Sequence, residues 1–326
     1  MLQLRVREER WPIRGVFRIS RGARTEATVV VVEVSDGTFT GRGECVPYPR
    51  YAETVGGVIS LAQQMGAVFG RDPERWRLRR DWPAGAARNA VDAALWDLET
   101  KRAGVRAWQL AAVSEPVPLL TAYTISLDEP AAMGRAAAAE AHRPLLKLKL
   151  DGVGDLVRVR AVHEAAPGAR IIVDANEAWT RTQYETLVPA LADLGVELIE
   201  QPFAAGRDGE LRTLARPIPV AADESCHTAE DVSLLADRYD VVNVKLDKTG
   251  GLTEALRVMA AAREAGLGVM VGCMVGTSLG IAPATLLGGA AQYVDLDAPL
   301  LLERDREDGL KYEGSLLYPP EPELWG

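Results

Sequence analysis

The stretch Leu145-Leu146-Lys147-Leu148-Lys149-Leu150 places two lysines inside an apolar hexapeptide. Successive side chains of a β-strand point to opposite faces, so the pattern predicts the lysines on one face and the leucines on the other. In a parallel barrel the lysine face would point inward, where a buried ammonium needs a compensating charge. The alternative is a surface edge strand whose lysines prevent aggregation. The rest of the chain decides between the two, because only a barrel requires partners for these lysines.

The composition is typical of a globular protein with a packed core: 326 residues, 48% hydrophobic and 25% charged. A net charge of −9 gives no electrostatic signature for nucleic acid and argues against an anionic membrane surface. The sequence shows no secretion signal and no apolar segment long enough to span a bilayer, so we expect a cytoplasmic protein. The three cysteines and three histidines are scattered, which predicts neither disulfides nor a zinc site nor a histidine triad.

The chain divides into two parts of different style. Three strands (2–9, 28–35, 39–44) and two helices (53–69, 84–103) predict an α+β capping domain over residues 1–115, with Asp36-Gly37 as a hairpin turn and Gly104 as a helix cap. From Pro116 onward, short apolar runs alternate with helical patterns at the spacing of βα units. The eight runs are 119–127, 145–150, 170–174, 197–200, 219–223, 241–245, 268–271 and 292–295.

We predict an α/β fold in which these runs form a modified TIM barrel, (β/α)7β, over residues 116–299. The tail, about residues 300–326, would return to complete the capping domain. A doubly wound open sheet is the alternative, but it does not explain why so many of the strands end in a charged residue.

Three consecutive strands end in a carboxylate: Asp174, Glu200 and Asp223. Barrel active sites lie at the carboxyl ends of the strands, so these three acids should meet at the mouth. Crowded carboxylates need a cation, and hard oxygen ligands favour Mg²⁺. A single acid at such a position could instead cap a helix, but three in successive units favour a metal site.

The sixth strand ends in Lys245, and in a ring of eight it lies opposite the strand of Lys149. If Mg²⁺ held a substrate carboxylate and stabilised an enediolate, one lysine could remove the α-proton and the other return a proton to the opposite face. Burial, the metal and the adjacent Lys147 would lower the pKa of such a lysine, and Lys147 would also stabilise the enediolate electrostatically. The pattern therefore predicts a two-lysine 1,1-proton transfer.

The eighth strand ends Asp295-Leu296-Asp297, with both aspartates on one face opposite the metal. They could bind a cationic group such as a free amine. A solvated loop or a helix cap explains them equally well.

These motifs together resemble the enolase superfamily over essentially the whole chain. They are Lys147-x-Lys149, Asp174-Ala175-Asn176, Glu200-Gln201-Pro202, Ala222-Asp223-Glu224-Ser225 and Asn243-Val244-Lys245. Within the superfamily the chain is most similar to the muconate-lactonizing subgroup and, through residues 20–27, 47–51 and 295–297, to its dipeptide epimerases. The resemblance implies a Mg²⁺-dependent isomerase that epimerises dipeptides, most simply L-Ala-D-Glu and L-Ala-L-Glu, in murein peptide metabolism, and that could form homo-oligomers.

The resemblance also assigns roles to individual residues. Asp174, Glu200 and Asp223 would bind the metal, and Lys149 and Lys245 would be the acid/base pair. The implied substrate-binding residues are Asp295 and Asp297 for the α-ammonium, Arg21 or Arg24 for a distal carboxylate, and Cys273.

A dipeptide epimerase of different specificity and four other reactions remain open. Muconate cycloisomerase, o-succinylbenzoate synthase and N-acylamino acid racemase share the metal and the lysines, although Asp295 and Asp297 favour a free ammonium, since other substrates would meet two unneutralised carboxylates. A metal-free racemase would use Cys226 and Cys273, but Asp223 and Glu224 make Cys226 a poor thiolate. A barrel that only binds a ligand would leave the buried lysines without a purpose.

Overall fold

The computed structural model describes residues 2–69 and 74–326; Met1 and residues 70–73, which belong to the predicted capping domain, lie outside the described residues. The chain begins with an antiparallel sheet in the order β1 (Gln3–Ile19), β2 (Gly22–Ser35) and β3 (Thr40–Cys45). The Asp36-Gly37 turn is confirmed, because Asp36 Oδ1 accepts hydrogen bonds from the amides of Thr38 and Phe39 at 2.8 Å. The first strand is longer than predicted, so the first hairpin turns only at residues 20–21.

Four helices follow: α1 (Val55–Ala67), α2 (Arg75–Asp81), α3 (Ala86–Ala103) and α4 (Ala107–Leu110). The predicted cap of α3 is confirmed, since Gly104 adopts the left-handed conformation with φ 65°. Helix α3 lies directly on β3. An added Cβ at Gly41 or Gly43 would stand 2.0 or 2.1 Å from a carbonyl oxygen of α3. Glycine is therefore required at both positions for the close approach of helix and strand.

The next predicted strand, 119–127, is two strands in the structure. β4 (Leu119–Leu120) pairs with the C-terminal tail, and β5 (Tyr123–Ile125) is the first strand of an eight-stranded parallel sheet. The remaining seven strands follow in spatial order as β6 (Leu145–Lys149), β7 (Arg170–Asp174), β8 (Val196–Glu200), β9 (Val220–Ala222), β10 (Val241–Lys245), β11 (Gly268–Gly272) and β12 (Tyr293–Asp295).

The sheet closes into a barrel at β5 and β12, where the amide of Ala122 donates to Val294 O at 2.8 Å. The helices that connect the strands are α5 (Pro130–Ala139), α6 (Asp155–Ala165), α7 (Arg181–Asp193), α8 (Ala229–Leu235), α9 (Leu246–Thr249), α10 (Leu252–Glu264), α11 (Ser278–Ile281) and α12 (Thr285–Gly288). Between β8 and β9 the connection is a 3-10 helix, Asp208–Thr213. The predicted (β/α)7β barrel is thus confirmed, with one α-helix replaced.

The hexapeptide that organises the chain is strand β6, and its lysine face points into the barrel. Leu146, Leu148 and Leu150 pack in the core between sheet and helices. The prediction that all the leucines share that face was wrong for Leu145, because it has the same parity as the lysines. It packs inside the barrel with Ile172, Leu198 and other apolar residues, below the lysines. The apolar layer closes the barrel interior beneath the site.

The tail contains α13 (Ala298–Leu301) and the hairpin β13 (Tyr312–Glu313) and β14 (Leu316–Leu317), which pairs with β4. Its last residues return to α3, where the indole of Trp325 donates to Ala93 O and the amide of Gly326 to Asp97 Oδ1, both at 3.0 Å. The tail therefore completes the cap as the fold prediction requires, while the division at residues 115 and 299 stays a prediction. In the described ranges, the chain forms no helix with the length and hydrophobicity that crossing a bilayer would take.

Candidate active site

The three carboxylates predicted at the strand ends lie side by side at the mouth of the barrel. Asp174 ends β7 and Glu200 ends β8, and the two are direct neighbours in the strand register. Asp223 follows β9 by one residue. All three are buried, with at most 2% of their surface exposed. Period-two alternation and βα spacing were therefore sufficient to find them.

Lysines surround these carboxylates in the structure. Lys149 Nζ lies 2.6 Å from Asp174 Oδ2, and Lys245 Nζ lies 2.7 Å from Asp223 Oδ2. Lys147, which has no exposed surface, lies 2.5 Å from Glu200 Oε2 and 2.6 Å from Asp295 Oδ2. The compensating charges that the sequence required for the inward lysines are thus present.

Two further residues belong to this cluster: Asn243, for which the sequence predicted no role, and Lys248, which was expected to lie next to the predicted site residues. Asn243 shares the inward face of β10 with Lys245, and its amide donates to Glu200 Oε1 at 2.6 Å. Lys248 is fully buried and donates to the carbonyl oxygens of Asn243 and Cys226 at 2.9 and 3.0 Å, besides pairing with Asp223. Strand alternation would have identified Asn243, whereas the role of Lys248 depends on a turn whose shape the sequence does not specify.

The carboxylates beside the lysines determine the electrostatics of the lysines in this structure. Burial alone would lower the pKa of Lys245, but the charges of Asp223 and Glu200 outweigh it and raise that pKa above its usual value. The pKa of Lys147 is likewise raised, since Asp295 and Glu200 outweigh the effect of its burial. In this structure Lys147 and Lys245 are therefore ammonium partners of Glu200 and Asp223.

The carboxylates nevertheless fit a hard cation. Among the described residues, no three acidic, histidine or cysteine side chains are placed closely enough to enclose a metal ion as they stand. However, Glu200 Oε2 and Asp223 Oδ1 are buried and accept no hydrogen bond, so each faces a lysine ammonium and nothing else. Carboxylate oxygens without hydrogen bonds on adjacent strands are the donor set that Mg²⁺ prefers.

A cavity of about 420 Å³ lies between the barrel mouth and the cap hairpin. Lys149 and Lys245 both line it, and they belong to β6 and β10, four strands apart in the eight-stranded ring. The cap contributes apolar residues such as Ile19 and Val46, and the two arginines Arg21 and Arg24. The predicted lysines and arginines are thus brought to one cavity from two parts of the chain.

The two candidate arginines have different surroundings. Arg21 is paired with Glu224 at 2.6 Å and donates to Asn176 O at 2.8 Å and to the hydroxyl of Tyr48 at 3.1 Å. Arg24 is exposed and lies over the ring of Tyr48, 5.4 Å from its centroid. In the described structure Arg24 forms no ion pair, so its guanidinium is available to an anionic ligand.

Burial, followed by the charge of Asp223, raises the pKa of Glu224 to about 8, although the Arg21 guanidinium opposes this. Glu224, which pairs with Arg21 of the cap hairpin, therefore also belongs to the charged cluster at the barrel mouth.

Asp295 and Asp297 are buried and are not among the residues that line this cavity. Asp295 pairs with Lys147, and Asp297 Oδ2 accepts a hydrogen bond from the amide of Thr124 at 2.6 Å. Burial and the neighbouring Asp295 raise the pKa of Asp297 to about 7. Asp295 is thus neutralised by Lys147, contrary to the expectation that both carboxylates lack a positive partner. That the two aspartates bind a substrate ammonium stays a prediction.

Both cysteines of the metal-free alternative are in surroundings that disfavour a thiolate. Burial raises the pKa of Cys226 to about 12, and that residue does not line the cavity. Cys273 does line it, but burial and the charges of Asp295 and Asp297 raise its pKa, and its thiol donates to Asp295 O at 3.3 Å. The geometry gives no support to a two-cysteine mechanism.

Comparison with known proteins agrees with this site. The sequence matches the family "Mandelate racemase / muconate lactonizing enzyme, N-terminal domain" over residues 1–111 and "Enolase C-terminal domain-like" over residues 131–321. It is 42% identical to the L-Ala-D/L-Glu epimerase of Escherichia coli strain K12, over 96% of this chain and 98% of that protein. It is 44% identical to an N-acetyl-D-glutamate racemase of a Pseudoalteromonas species, over 91% and 95%.

Two solved structures share the whole fold. One is an enolase family member from Agrobacterium tumefaciens with homology to dipeptide epimerases, crystallised with sodium and L-Ala-L-Glu; it is 51% identical over 100% of both chains, with a TM-score of 0.98. The other is a dipeptide epimerase from Enterococcus faecalis in complex with Mg and L-Leu-L-Tyr; it is 30% identical over 98% of this chain and 97% of that one, with a TM-score of 0.90. The fold, the strand-end residues and these relatives agree, and the chain therefore belongs to the enolase superfamily as an isomerase of the mandelate racemase and muconate lactonizing enzyme family.

Proposed function

We propose that this protein is a Mg²⁺-dependent epimerase that inverts the α-carbon of the glutamyl residue in L-Ala-D-Glu and L-Ala-L-Glu. The observation that supports it best is the pair Lys149 and Lys245, which line one cavity from strands on opposite sides of the barrel. Inversion requires a proton to leave one face of the α-carbon and another to arrive at the opposite face. Two lysines facing each other across a substrate provide that arrangement.

Asp174, Glu200 and Asp223 would hold the magnesium ion. When bound, the ion supplies charge stabilisation for the substrate carboxylate as the α-proton leaves. The similar dipeptide epimerase from Enterococcus faecalis was solved in complex with Mg and a dipeptide, which supports this assignment.

The proton transfers themselves belong to Lys149 and Lys245. The lysine that acts as base must be neutral at Nζ, a state that its burial favours and that the neighbouring carboxylates oppose. The opposite lysine keeps its proton and donates it to the other face of the α-carbon. Lys147 is fully buried between Glu200 and Asp295, and it adds positive charge beside the reacting carboxylate.

Substrate recognition would come mainly from Arg24. Its guanidinium lines the cavity, is exposed and is free of ion pairs within the described structure, and a guanidinium binds a carboxylate in a two-pronged way. Arg21, which already pairs with Glu224, would hold the hairpin in place. The α-ammonium of the dipeptide would then compete with Lys147 for Asp295.

A second candidate function follows from that competition. Asp295 already pairs with Lys147, and Asp297 already accepts a hydrogen bond from Thr124. The two aspartates therefore do not require an ammonium ligand to compensate their charge to the extent that the sequence indicated. An N-acylated glutamate, whose nitrogen carries no charge, would leave both contacts intact. The similarity to an N-acetyl-D-glutamate racemase makes racemisation of N-acetylglutamate the alternative.

Proton NMR in D₂O separates these reactions. The protein with Mg²⁺ is incubated with L-Ala-L-Glu in one tube and with N-acetyl-L-glutamate in another, and the glutamyl α-proton is followed. Loss of that signal, with growth of the resonances of L-Ala-D-Glu in the first tube only, supports dipeptide epimerisation. Exchange in the second tube only supports the racemase. An EDTA control must stop either reaction, and exchange that continues in EDTA would contradict the metal-dependent mechanism.

A further inference from the structure

We propose that Asp247 is a positioning residue: by binding the cap, it fixes the position of Lys245 relative to the cap residues that line the cavity. This inference rests on the proposed two-lysine function. Asp247 lies in α9, two residues after Lys245, and has 9% of its surface exposed. It is not a member of the charged cluster at the barrel mouth, and its carboxylate points to the cap instead.

One oxygen of this carboxylate joins two elements of the cap to the barrel. Asp247 Oδ1 accepts a hydrogen bond from the amide of Val46 at 3.0 Å and another from Asn89 Nδ2 at 2.9 Å. Val46 directly follows β3, and Asn89 lies in α3 with 2% of its surface exposed. Both bonds are buried. Loss of this acceptor would leave the buried amide of Val46 without this partner, and Asn89 Nδ2 with only its longer hydrogen bond of 3.4 Å to Glu44 O.

Both ends of this connection reach the cavity. Val46 and Lys245 line it, one from the cap and one from the barrel. Helix α9 begins immediately after Lys245 and has only four residues, so a shift of Asp247 is passed on to the backbone of the lysine. At the other end of α9, Arg88 donates to Thr249 O at 2.6 Å and to Gly250 O at 3.0 Å. The helix is therefore held by the cap along its length.

The cap contacts the surroundings of Lys149 differently, through Asn176, which accepts from Ser20 and Arg21 and donates to Asp174. The Lys149 ammonium pairs with Asp174 of the neighbouring strand, and within residues 2–69 and 74–326 no hydrogen bond connects the cap to residues 147–152. Displacement of α9 should thus disturb one lysine and spare the other. A residue that only stabilised the fold would affect both lysines alike, so the two roles are distinguishable.

The test compares α-proton exchange of L-Ala-L-Glu and L-Ala-D-Glu, each measured separately by NMR in D₂O with the full chain and Mg²⁺. Lys245→Ala first identifies the epimer whose exchange depends on Lys245. We expect Asp247→Ala to slow exchange of that epimer roughly 10- to 100-fold, the scale of a catalytic group misplaced by about 1 Å. Exchange of the other epimer should stay near the parent rate. Asp247→Asn keeps the accepting oxygen and should retain most of both rates.

Asp92→Ala is the matched control. It removes another hydrogen bond between α3 and the barrel, which the amide of Thr253 donates to Asp92 Oδ2 at 3.0 Å, and should leave the ratio of the two rates unchanged. Equal slowing of both epimers by Asp247→Ala would overturn the proposal. If Asp247→Ala does not fold, Asn89→Ala removes one of the two donors and should shift the ratio in the same direction, and an unchanged ratio would overturn the proposal as well.

A readout without substrate separates this inference from the proposed function. If the parent exchanges neither epimer, the proposed function fails while the link remains testable by amide hydrogen exchange. Residues 46–48 and 244–251 should exchange faster in Asp247→Ala than in Asp247→Asn. Equal protection in the two variants would show that the carboxylate oxygen does not hold these segments together.

Discussion

The two candidate acid/base lysines differ in their carboxylate partners. Lys149 pairs with Asp174 alone, whereas Lys245 pairs with Asp223 and lies 3.7 Å from Glu200 Oε1. Each lysine is nearly buried, with 7% and 5% of its surface exposed. Neither can replace the other, because they reach the cavity from opposite sides of the ring.

Replacing Lys149 or Lys245 by alanine should therefore abolish epimerisation, since each variant keeps an acid/base group on one face of the α-carbon only. The loss of such a group lowers kcat by roughly 10²- to 10⁴-fold. Exchange of one epimer's α-proton should persist in each variant through the remaining lysine, measured by NMR in D₂O. Circular dichroism should show the parent fold. Epimerisation by either variant at the parent rate would exclude the two-lysine assignment.

Arg24→Ala should lower kcat/KM for L-Ala-L-Glu roughly 10- to 100-fold, because a hydrogen bond to a charged group contributes about 1.5–3 kcal/mol. For a dipeptide with a neutral second side chain, such as L-Ala-L-Leu, kcat/KM should not fall. Steady-state rates on both dipeptides measure the difference. Arg21→Ala is the comparison: it removes the ion pair with Glu224 and should affect both dipeptides alike. Equal losses with Arg24→Ala would rule it out as the carboxylate ligand.

At the scale of residues, strand alternation predicted what points inward but not what each side chain contacts. Lys149 was found from the alternation of residues 145–150, and Asp174 and Lys245 because each ends a short apolar run. The pairing of Lys147 with Asp295 joins residues on strands far apart in the sequence, and alternation contains no distance between strands. The pKa of Lys245 likewise depends on carboxylates that other strands supply, Asp223 and Glu200. The lowering predicted for a lysine beside a bound metal ion stays a prediction.

At the scale of elements, the packing of the cap depends on the close contact between β3 and α3. Gly43 is buried in β3, and an added Cβ would stand 2.1 Å from Ala90 O and 2.8 Å from Ala94 N. These are backbone atoms of a helix, which cannot move aside as a flexible side chain could. The two glycines of β3 therefore determine how closely the helix lies on the sheet.

Gly43→Ala should destabilise the protein by at least about 1–3 kcal/mol, the usual cost of overpacking a core. Urea unfolding followed by circular dichroism measures the change. Gly168→Ala is the control, because Gly168 is exposed and an added Cβ there has no neighbour within 4 Å. That variant should stay within about 0.5 kcal/mol of the parent. Similar stabilities for the two variants would show that the close helix–strand approach does not constrain the cap.

Most elements with strong periodicity were predicted, and those without it were missed. Strands β7 and β10 match their predicted bounds because apolar runs end sharply at a charged residue. Helix α2 was missed: Arg75–Asp81 contains four arginines and buries only Leu78, so it has no apolar stripe. The run at 119–127 was taken as one strand because nothing local indicates that β4 pairs with the tail instead of the barrel.

At the scale of the whole molecule, the interface between the cap and the barrel contains buried carboxyl groups. Asp92 and Asp247 lie in this interface, and their burial raises the pKa of Asp92 to about 6 and that of Asp247 to about 7. Their partners are separated from them by more than 150 positions, so no sequence pattern indicated the contacts. The interface is thus acidic, buried and sensitive to protons.

The contribution of these two carboxyl groups to the unfolding free energy should therefore fall as pH rises from about 4 to about 7. A carboxyl group whose pKa is higher in the folded chain binds more protons there than in the unfolded chain over this range, so raising the pH favours unfolding. For Asp92, with a pKa of about 6 against an ordinary 3.8, the loss is on the order of 3 kcal/mol. Urea unfolding of the parent and of Asp92→Asn, at several pH values between 4 and 8, isolates this contribution. The variant should gain stability relative to the parent as pH rises, whereas Asp128→Asn, at a side chain 52% exposed, should follow the parent. Parallel curves for all three proteins would mean that the buried carboxyl group of Asp92 does not titrate in this range.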